Sequence, residues 1–189
     1  RVADRVADLL ASERNGAAIA ISLLFAFADP MHERRLAAFL EQRFPGVPVS
    51  ESHRAAPVWR EYERGSSTIV DAYLTPVVRR LAGDLDAGLA ERGFAGPVSI
   101  MKSNGGRMLV AAAGRQAVQT VLSGLSGGIV AGRHFALAAG CRNAITFDMG
   151  GTSADVGLVR DGEIQHVPEF ELEFGLPIAA PAIDLVTVG

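Results

Sequence analysis

The residues whose types and spacing most favour chemistry lie in one stretch near the end of the chain, 147–156, with the sequence FDMGGTSADV. An apolar strand there leads to an aspartate, two glycines, two hydroxyl residues and a second aspartate. Glycines let backbone N–H groups approach an anion closely, and hydroxyl groups add further donors. The pattern therefore predicts a phosphate-binding turn, whose members are Gly150, Gly151, Thr152 and Ser153.

The two aspartates of this stretch are the candidate catalytic residues. Asp148 lies where the first strand ends, and a carboxylate at that place could hold a hydrated Mg²⁺ beside a phosphate. Asp155 could orient the turn or a catalytic water. The alternative is a tight hairpin in which the glycines serve backbone geometry alone and Asp148 caps the turn. Spacing by itself leaves both interpretations open.

A second glycine-rich stretch, Ser123–Gly128, precedes a helix that we expect over Ile129–Ala139. Backbone N–H groups at the start of a helix, together with its dipole, attract anions. The glycines of this stretch could therefore contact a phosphate, or they could serve only to let the helix pack closely against a neighbour. The residues concerned are Gly124, Gly127 and Gly128.

The same stretch contains the pattern G-x-S-x-G, which surrounds the nucleophilic serine of many hydrolases. Ser126 is the serine of this pattern, and the partners of a triad would come from His134, His166, Asp155 and Asp184. The residues before Ser126 do not clearly predict a strand, and short motifs recur by chance. We therefore favour phosphate binding over a serine hydrolase.

The elements that must position these residues alternate between helices and strands in the first part of the chain, which is typical of an α/β fold. Ala17–Phe27 is a continuous apolar run and predicts a parallel strand buried on both faces. Asp29-Pro30 predicts the start of a helix that ends near Phe44. Val49–Ser52 predicts a short second strand.

A long helical pattern then covers Val58–Arg92, with a second helix start expected at Thr75-Pro76. Within this pattern, Glu61, Glu63 and Arg64 are expected to form a solvated face, and His53 before it to lie at the surface or cap a helix. A mixed, alanine-rich helical stretch is expected to end at Leu122.

The last part of the chain is rich in strand patterns. We expect strands at Ala144–Phe147 and Val156–Val159, and Asp161-Gly162 predicts a hairpin turn.

The amino-acid composition excludes several classes of protein and of binding partner. The chain has 189 residues, 49% of them hydrophobic and 21% charged, with a net charge of −3. Without a long basic run, nucleic acid is not an expected partner. The longest apolar stretch, Ala17–Ala28, is too short to span a bilayer, so no membrane partner is expected. A single cysteine, Cys141, fits a reducing cytoplasm. Both ends interrupt a pattern, so we expect an internal piece of a longer protein.

The stretch 147–156 resembles the second phosphate loop of the actin-like ATPase superfamily and, more narrowly, that of the hydantoinase A/oxoprolinase family. Four further segments resemble that family in the same order along the chain. They are Ala28–Arg35 (NP-HE-R), Glu61–Leu74 (EYERTSTT-NAYL), Met101–Gly106 (MQSNGG) and Gln119–Gly128 (QTLLSGPAGG). The family usually has Pro-Ala where this chain has Leu125-Ser126, which we expect to loosen the loop before the helix.

The resemblance implies a fold and an organisation. It implies an RNase H-like α/β duplication of the actin-like ATPase type, in which ATP and Mg²⁺ lie between two lobes. The chain would hold parts of both lobes joined by long helices. Residues 1–62 would be the C-terminal part of the N-terminal lobe, and residues 63–189 the start of the hydantoinase A core domain. The other two nucleotide-contacting loops would lie outside this chain, so the isolated piece is expected to be inactive.

The resemblance also implies a function for the parent protein. It would be an ATP-dependent hydrolase that opens a cyclic amide such as a hydantoin, N-methylhydantoin or 5-oxoproline. The alternatives are an ATP-dependent carboxylase subunit of the acetone type and a non-catalytic nucleotide-binding subunit. A second subunit or domain of the hydantoinase B type is the expected protein partner.

Overall fold

The computed structural model describes residues 2–12, 17–172 and 175–188, which form a mixed α/β fold. The helices are α1 (Val2–Ser12), α2 (Met31–Arg43), α3 (Ser52–Ala55), α4 (Glu61–Glu91), α5 (Val110–Ala113), a 3-10 helix (Ala117–Thr120) and α6 (Ser123–Ala138). The strands are β1 (Ile19–Ile21), β2 (Val49–Glu51), β3 (Ser99–Met101), β4 (Arg107–Leu109), β5 (Ala144–Met149), β6 (Ala154–Arg160), β7 (Glu163–Ile164), β8 (His166–Val167), β9 (Phe170–Leu172), β10 (Leu176–Ile178), β11 (Ala182–Ile183) and β12 (Leu185–Val188).

The first α/β layer is a parallel pair of strands connected by α2. Ile19 of β1 lies opposite Val49 of β2, and the predicted parallel arrangement is confirmed. The predicted helix after Asp29-Pro30 is also confirmed, and the Asp29 carboxylate accepts the backbone N–H of Met31 at 3.0 Å. The prediction of a strand over the whole of Ala17–Phe27 is wrong, because β1 ends at Ile21 and the chain then turns.

The turn after β1 is held by a buried carboxylate. Glu33 of α2 is fully buried and accepts the backbone N–H of Leu23 at 2.9 Å. Its carboxylate also accepts the Ser52 hydroxyl at 2.6 Å and the backbone N–H of His53 at 3.0 Å. The His53 imidazole Nδ1 lies 2.9 Å from the same carboxylate, so His53 is a largely buried partner of Glu33 rather than a surface residue.

These contacts set the protonation of Glu33. Burial alone would raise the pKa of its carboxyl group, since a charged form is disfavoured away from water. The hydrogen bonds from Ser52, His53 and Leu23 favour the charged form and together hold the pKa below its ordinary value of 4.5.

The same network corrects one prediction for the long helix. Arg64 was expected on a solvated face but is fully buried. Its Nε donates to the Ser52 hydroxyl at 3.0 Å, and its terminal nitrogens donate to the carbonyls of Val58 at 3.0 Å and Leu23 at 2.7 Å. It also pairs with Glu61, which is exposed as predicted. Arg64 therefore ties α4 to α3 and to the end of β1.

Helix α4 runs without interruption from Glu61 to Glu91, so the prediction of a second start at Thr75-Pro76 is wrong. Proline removes one backbone hydrogen bond inside a helix. Thr75 is buried there, and its hydroxyl donates to the carbonyl of Asp71 at 2.7 Å. Burial of this part of α4 on neighbouring elements overrides the local signal.

Asp71 joins the first layer to the rest of the chain through α4. Its buried carboxylate accepts the Ser50 hydroxyl of β2 at 2.6 Å and the backbone N–H of Val118 at 2.9 Å. An apolar cluster surrounds this link, formed by Ala55, Val70, Val118, Ile178 and Ala180. The proposed boundary between residues 62 and 63 falls inside α4 and stays a prediction.

The stretch before α6 is less helical than predicted. Residues 107–120 form β4, the short α5 and the 3-10 helix instead of one mixed helix. Helix α6 itself begins at Ser123, six residues before the predicted start at Ile129. Leu122 precedes it in the left-handed conformation with φ 61°, which turns the chain sharply into the helix. Ser123–Gly128 is therefore the beginning of a helix and not a loop.

An antiparallel sheet in the order β12-β6-β5, with β7 also paired to β6, carries the candidate site. Asp161 and Gly162 join β6 to β7 with φ values of 53° and 83°, which confirms the predicted hairpin turn. Side chains alternate between the two faces. Helix α6 packs on one face, and the other face exposes a row of apolar side chains, namely Ile145, Phe147, Met149, Leu158, Val186 and Val188.

The remaining strands form antiparallel pairs around this unit: β3 with β4, β8 with β11, and β9 with β10. Ser103, after β3, connects the β3–β4 pair to the 3-10 helix and to β11. Its backbone N–H donates to the carbonyl of Gln119 at 2.7 Å, and its own carbonyl accepts the N–H of Ile183 at 2.9 Å. In the part of the chain that the structure describes, no helix is both long and apolar enough to cross a membrane.

Candidate functional site

The predicted phosphate-binding turn is the tip of the β5–β6 hairpin. Asp148 and Asp155 lie directly opposite each other on the two strands. Beyond them the N–H of Gly150 donates to the carbonyl of Ser153 at 2.9 Å and closes the turn. Gly151 and Thr152 lie at the tip and are exposed, whereas Ser153 is half-buried. The hairpin of the alternative interpretation is therefore present, and its open tip is accessible to a ligand.

The start of α6 lies against this hairpin. A Cβ added to Gly128 would come 3.5 Å from Oδ2 of Asp148, so the bare backbone of the helix faces the carboxylate. A small cavity of about 200 Å³ separates the two elements. It is lined by Leu125, Gly128, Ile129, Thr146, Phe147, Asp148 and Asp155. The fold thus brings the two predicted aspartates and one of the predicted helix glycines to one place.

Glycine is required where α6 packs on the sheet. A Cβ on Gly132 of α6 would overlap the side chain of Thr146, and a Cβ on Gly157 of β6 would overlap that of Ile129. Real Cβ atoms do not approach so closely, so both positions need hydrogen in place of a side chain. The predicted role of glycine in close helix packing therefore belongs chiefly to Gly132 and Gly157 rather than to the glycines of Ser123–Gly128.

The three predicted glycines at the start of α6 differ in what they can offer an anion. Gly124 lies in the first turn, whose N–H groups precede the first intrahelical bond, from Ser126 N–H to the Leu122 carbonyl at 3.1 Å. Gly127 and Gly128 lie one turn further on, so their N–H groups belong to the helix ladder. A Cβ added to Gly127 would instead lie 3.7 Å from the Met101 side chain. Contact of any of them with a phosphate stays a prediction.

A third polar residue lies in register with the two aspartates. Thr187 of β12 is opposite Asp155, and its hydroxyl donates to Oδ1 of Asp155 at 2.7 Å. Thr187, Asp155 and Asp148 therefore form a row across three neighbouring strands, on the face that α6 covers. No local motif marks Thr187 in the sequence, because only the pairing of β12 with β6 brings it here.

The serine hydrolase interpretation does not fit the structure. A nucleophile elbow exposes its serine on a turn between a strand and a helix. Ser126 lies inside α6, is fully buried, and donates its hydroxyl to the carbonyl of Ser103 at 2.7 Å. Of the candidate partners, His166 is bound elsewhere, with Nε2 3.2 Å from the carbonyl of Asn104.

The carboxylates of the candidate site could hold Mg²⁺ only if a phosphate supplied further oxygen ligands. Among the described residues, no group of three or more His, Cys, Asp or Glu side chains could hold a metal ion. Mg²⁺ commonly takes one or two protein carboxylates and completes its shell with water and phosphate oxygens. Asp148 and Asp155, opposite each other beside the start of α6, match that smaller requirement.

Solved structures define the class of fold. The nucleotide-free structure of acetone carboxylase matches 99% of this chain with a TM-score of 0.84 and 28% identity, over 26% of that protein's chain. The structure of the ATP-dependent caprolactamase from Pseudomonas jessenii matches 99% with a TM-score of 0.79 and 33% identity, over 27% of its chain. The described residues accordingly have the α/β fold of part of an actin-like ATPase.

The chain belongs to the hydantoinase/oxoprolinase family, whose profile matches residues 64–189. Caprolactamase subunit alpha of Pseudomonas jessenii is 35% identical over 94% of the chain, and the acetone carboxylase beta subunit of Xanthobacter autotrophicus is 30% identical over 94%. The 5-oxoprolinase of Saccharomyces cerevisiae is 33% identical over 90%. The chain spans 25% of the length of the first two relatives and 13% of the third.

Proposed function

We propose that the parent protein is an ATP-dependent hydrolase that opens a small cyclic amide, and that this chain supplies one wall of its phosphate site. The observation that supports this most directly is the placement of Asp148 and Asp155 opposite each other, with Asp148 against Gly128 of α6. The names of two relatives, caprolactamase and 5-oxoprolinase, describe enzymes that act on cyclic amides.

ATP would supply the phosphoryl group that activates the carbonyl oxygen of the substrate, with ADP as the leaving group. Addition of water would then open the ring and release phosphate. The residues of this chain would bind the phosphates and the metal ion and would orient the groups that react. The N–H groups of Gly151, Thr152 and Gly124 would donate to phosphate oxygens, and Asp148 would hold Mg²⁺. Asp155, fixed by Thr187, would orient a water molecule or the metal shell. Such preorganised donors and charges carry most of the catalysis in phosphoryl transfer.

A carboxylase is the second candidate, and a specific observation favours it: the beta subunit of acetone carboxylase covers the chain as fully as caprolactamase does. Both reactions would use the same wall, since both need a carbonyl or enolate oxygen activated by a phosphoryl group. The third candidate is a subunit that binds nucleotide without catalysis.

The first two relatives of known activity are named as subunits, which supports a protein partner, and we propose a partner of the hydantoinase B type. We also propose a cytoplasmic location, with which the single cysteine of this chain is consistent.

The test is phosphate release from Mg-ATP by the full-length protein, with its partner subunit where it has one. The substrates are hydantoin, N-methylhydantoin, caprolactam, 5-oxoproline, and acetone with bicarbonate. Asp148→Asn should reduce substrate-dependent release by about a hundredfold or more. Asp161→Asn, at the other end of β6 in the hairpin turn, is the matched control and should leave release unchanged.

Each outcome has a definite meaning. Stimulation by a cyclic amide, lost in Asp148→Asn alone, supports the hydrolase. Stimulation only by acetone with bicarbonate replaces it with the carboxylase. If no substrate stimulates release in the presence of the partner, the subunit that binds nucleotide without catalysis replaces both enzymes. If Asp148→Asn behaves like wild type, the proposed site is wrong.

A further inference from the structure

A second, larger cavity lies beside β12 and the residue that precedes α6. It has a volume of about 1100 Å³, enough for a small organic molecule together with water. Leu122, the residue before α6, lines it together with Tyr73 of α4. Leu185 and Thr187 of β12 form its wall on the sheet.

One hydrogen bond connects the lining of this cavity to that of the candidate phosphate site. Thr187 lines the large cavity, and Asp155 lines the small one beside Asp148. The two side chains are joined at 2.7 Å. A molecule that contacts Thr187 in the large cavity would therefore be linked through Asp155 to the phosphate-binding turn.

The charged residues that line the large cavity all have the same sign. Three acidic residues line it, Glu169, Glu171 and Asp184, and none of its described lining residues is basic. Glu169 is paired with Arg60, whose pKa is raised by that hydrogen bond. Glu171 and Asp184 remain exposed acids at the rim. A ligand carboxylate entering here would meet like charge, which disfavours its binding.

The rest of the lining is apolar with few hydroxyl groups. Leu122, Phe170, Leu172, Ile183 and Leu185 provide hydrocarbon surface, and Tyr73 and Thr187 provide hydroxyls. Apolar walls with a few placed hydrogen-bonding groups are typical of sites for small uncharged molecules. A ring of methylene groups with one amide, or a cyclic ureide, has that character.

We propose that the large cavity is the substrate site, and that it selects an uncharged cyclic amide over one that bears a carboxylate. This inference rests on the proposed function and deepens it by naming the substrate class. Hydantoin and caprolactam belong to the favoured class. 5-Oxoproline, whose carboxylate is ionised at neutral pH, belongs to the disfavoured one.

The first experiment measures binding rather than turnover, by calorimetry on the full-length protein with caprolactam and with 5-oxoproline. Caprolactam should bind more tightly. Leu185→Trp fills the cavity from β12 and should weaken caprolactam binding at least tenfold without changing the affinity for ATP. Leu24→Trp, at an exposed site in the turn after β1, is the control and should have no effect. Thermal melting confirms that both variants are folded.

The second experiment changes the charge. The double substitution Glu171→Gln with Asp184→Asn should tighten 5-oxoproline binding by about tenfold while leaving caprolactam binding unchanged. Glu163→Gln, at an exposed acid outside the cavity, is the control. A misfolded protein could lose affinity for 5-oxoproline but could not gain it. A gain in affinity of the double variant therefore tests the charge of the cavity directly.

The results separate this inference from the proposed function. Tighter binding of 5-oxoproline than of caprolactam by the wild type, no effect of Leu185→Trp, or no binding of either molecule would overturn the substrate site. Binding with the expected pattern but no phosphate release from ATP would retain the substrate site and reject the hydrolase.

Discussion

The hydroxyl of Ser126 donates to the backbone carbonyl of Ser103 at 2.7 Å, across 23 residues of chain. Ser103 is itself held in place by hydrogen bonds with Gln119 and Ile183. The bond from Ser126 therefore ties the first turns of α6 to the segment that follows β3. Ser126 therefore has a structural role.

We predict that Ser126→Ala retains substrate-dependent ATP hydrolysis and lowers the free energy of unfolding by about 1 kcal/mol, the usual value of a hydrogen bond. Phosphate release and urea unfolding of the full-length protein measure the two quantities. A loss of activity of a thousandfold or more in a folded variant would restore the nucleophile interpretation.

The Glu33 network predicts a large loss of stability. Glu33→Ala removes the acceptor of the Leu23 and His53 backbone N–H groups and of the Ser52 hydroxyl, and three buried donors left without a partner should together cost about 3–5 kcal/mol. Glu41→Ala, on the exposed side of the same helix, should change stability by less than about 0.5 kcal/mol. Thermal unfolding compares the two. Equal effects would show that the network contributes nothing specific.

The lowered pKa of Glu33 predicts a pH dependence. Because the folded pKa lies below the ordinary value of 4.5, the charged form contributes stability above that pH, and this contribution disappears as the pH falls through the folded pKa. The stability difference between wild type and Glu33→Gln should therefore be constant near neutral pH and shrink below about pH 4.5. Urea unfolding at a series of pH values tests this. A difference that grows on acidification would contradict the assignment.

Two helix-interior glycines should respond in opposite directions to the same substitution. Gly83→Ala on α4 meets nothing within 4 Å and should stabilise by about 0.5–1 kcal/mol through helix propensity. Gly132→Ala on α6 would overlap Thr146 and should destabilise by about 1–3 kcal/mol. Thermal unfolding gives both values. If Gly132→Ala also stabilises, α6 does not pack on β5 as closely as described.

Thr187 should act by positioning Asp155. We expect Thr187→Val to lower kcat for substrate-dependent ATP hydrolysis by about tenfold with little change in KM for ATP. Thr187→Ser, which keeps the hydroxyl, should restore the rate. A merely structural role would instead lower the melting temperature of Thr187→Val and leave kcat of the folded enzyme intact.

The sequence predicted the hairpin and its aspartates because their signals are local. A strand, two glycines and a second strand place Asp148 and Asp155 opposite each other by pairing alone. The turn at Asp161-Gly162 was equally predictable, since both residues tolerate positive φ.

The errors came from tertiary structure. Pro76 signals a helix start, but burial of α4 carries the helix through it. Arginine is usually exposed at the protein surface. Only the folded chain shows that the donors of the Arg64 guanidinium group bind two backbone carbonyls and the Ser52 hydroxyl. Thr187 joins the candidate site through strand pairing, about 30 residues from Asp155, which no local pattern encodes.

The bare face of the β12-β6-β5 sheet has a practical consequence for handling the protein. Phe147 and Met149 of β5 are 64% and 74% exposed, beside Leu158 and Val186 on the neighbouring strands. So much contiguous hydrocarbon favours self-association, and β5 lies at the edge of the sheet, where another strand can add. Expressed as these 189 residues alone, the polypeptide should form concentration-dependent aggregates, with scattering that rises steeply on concentration and falls when Phe147 is replaced by lysine.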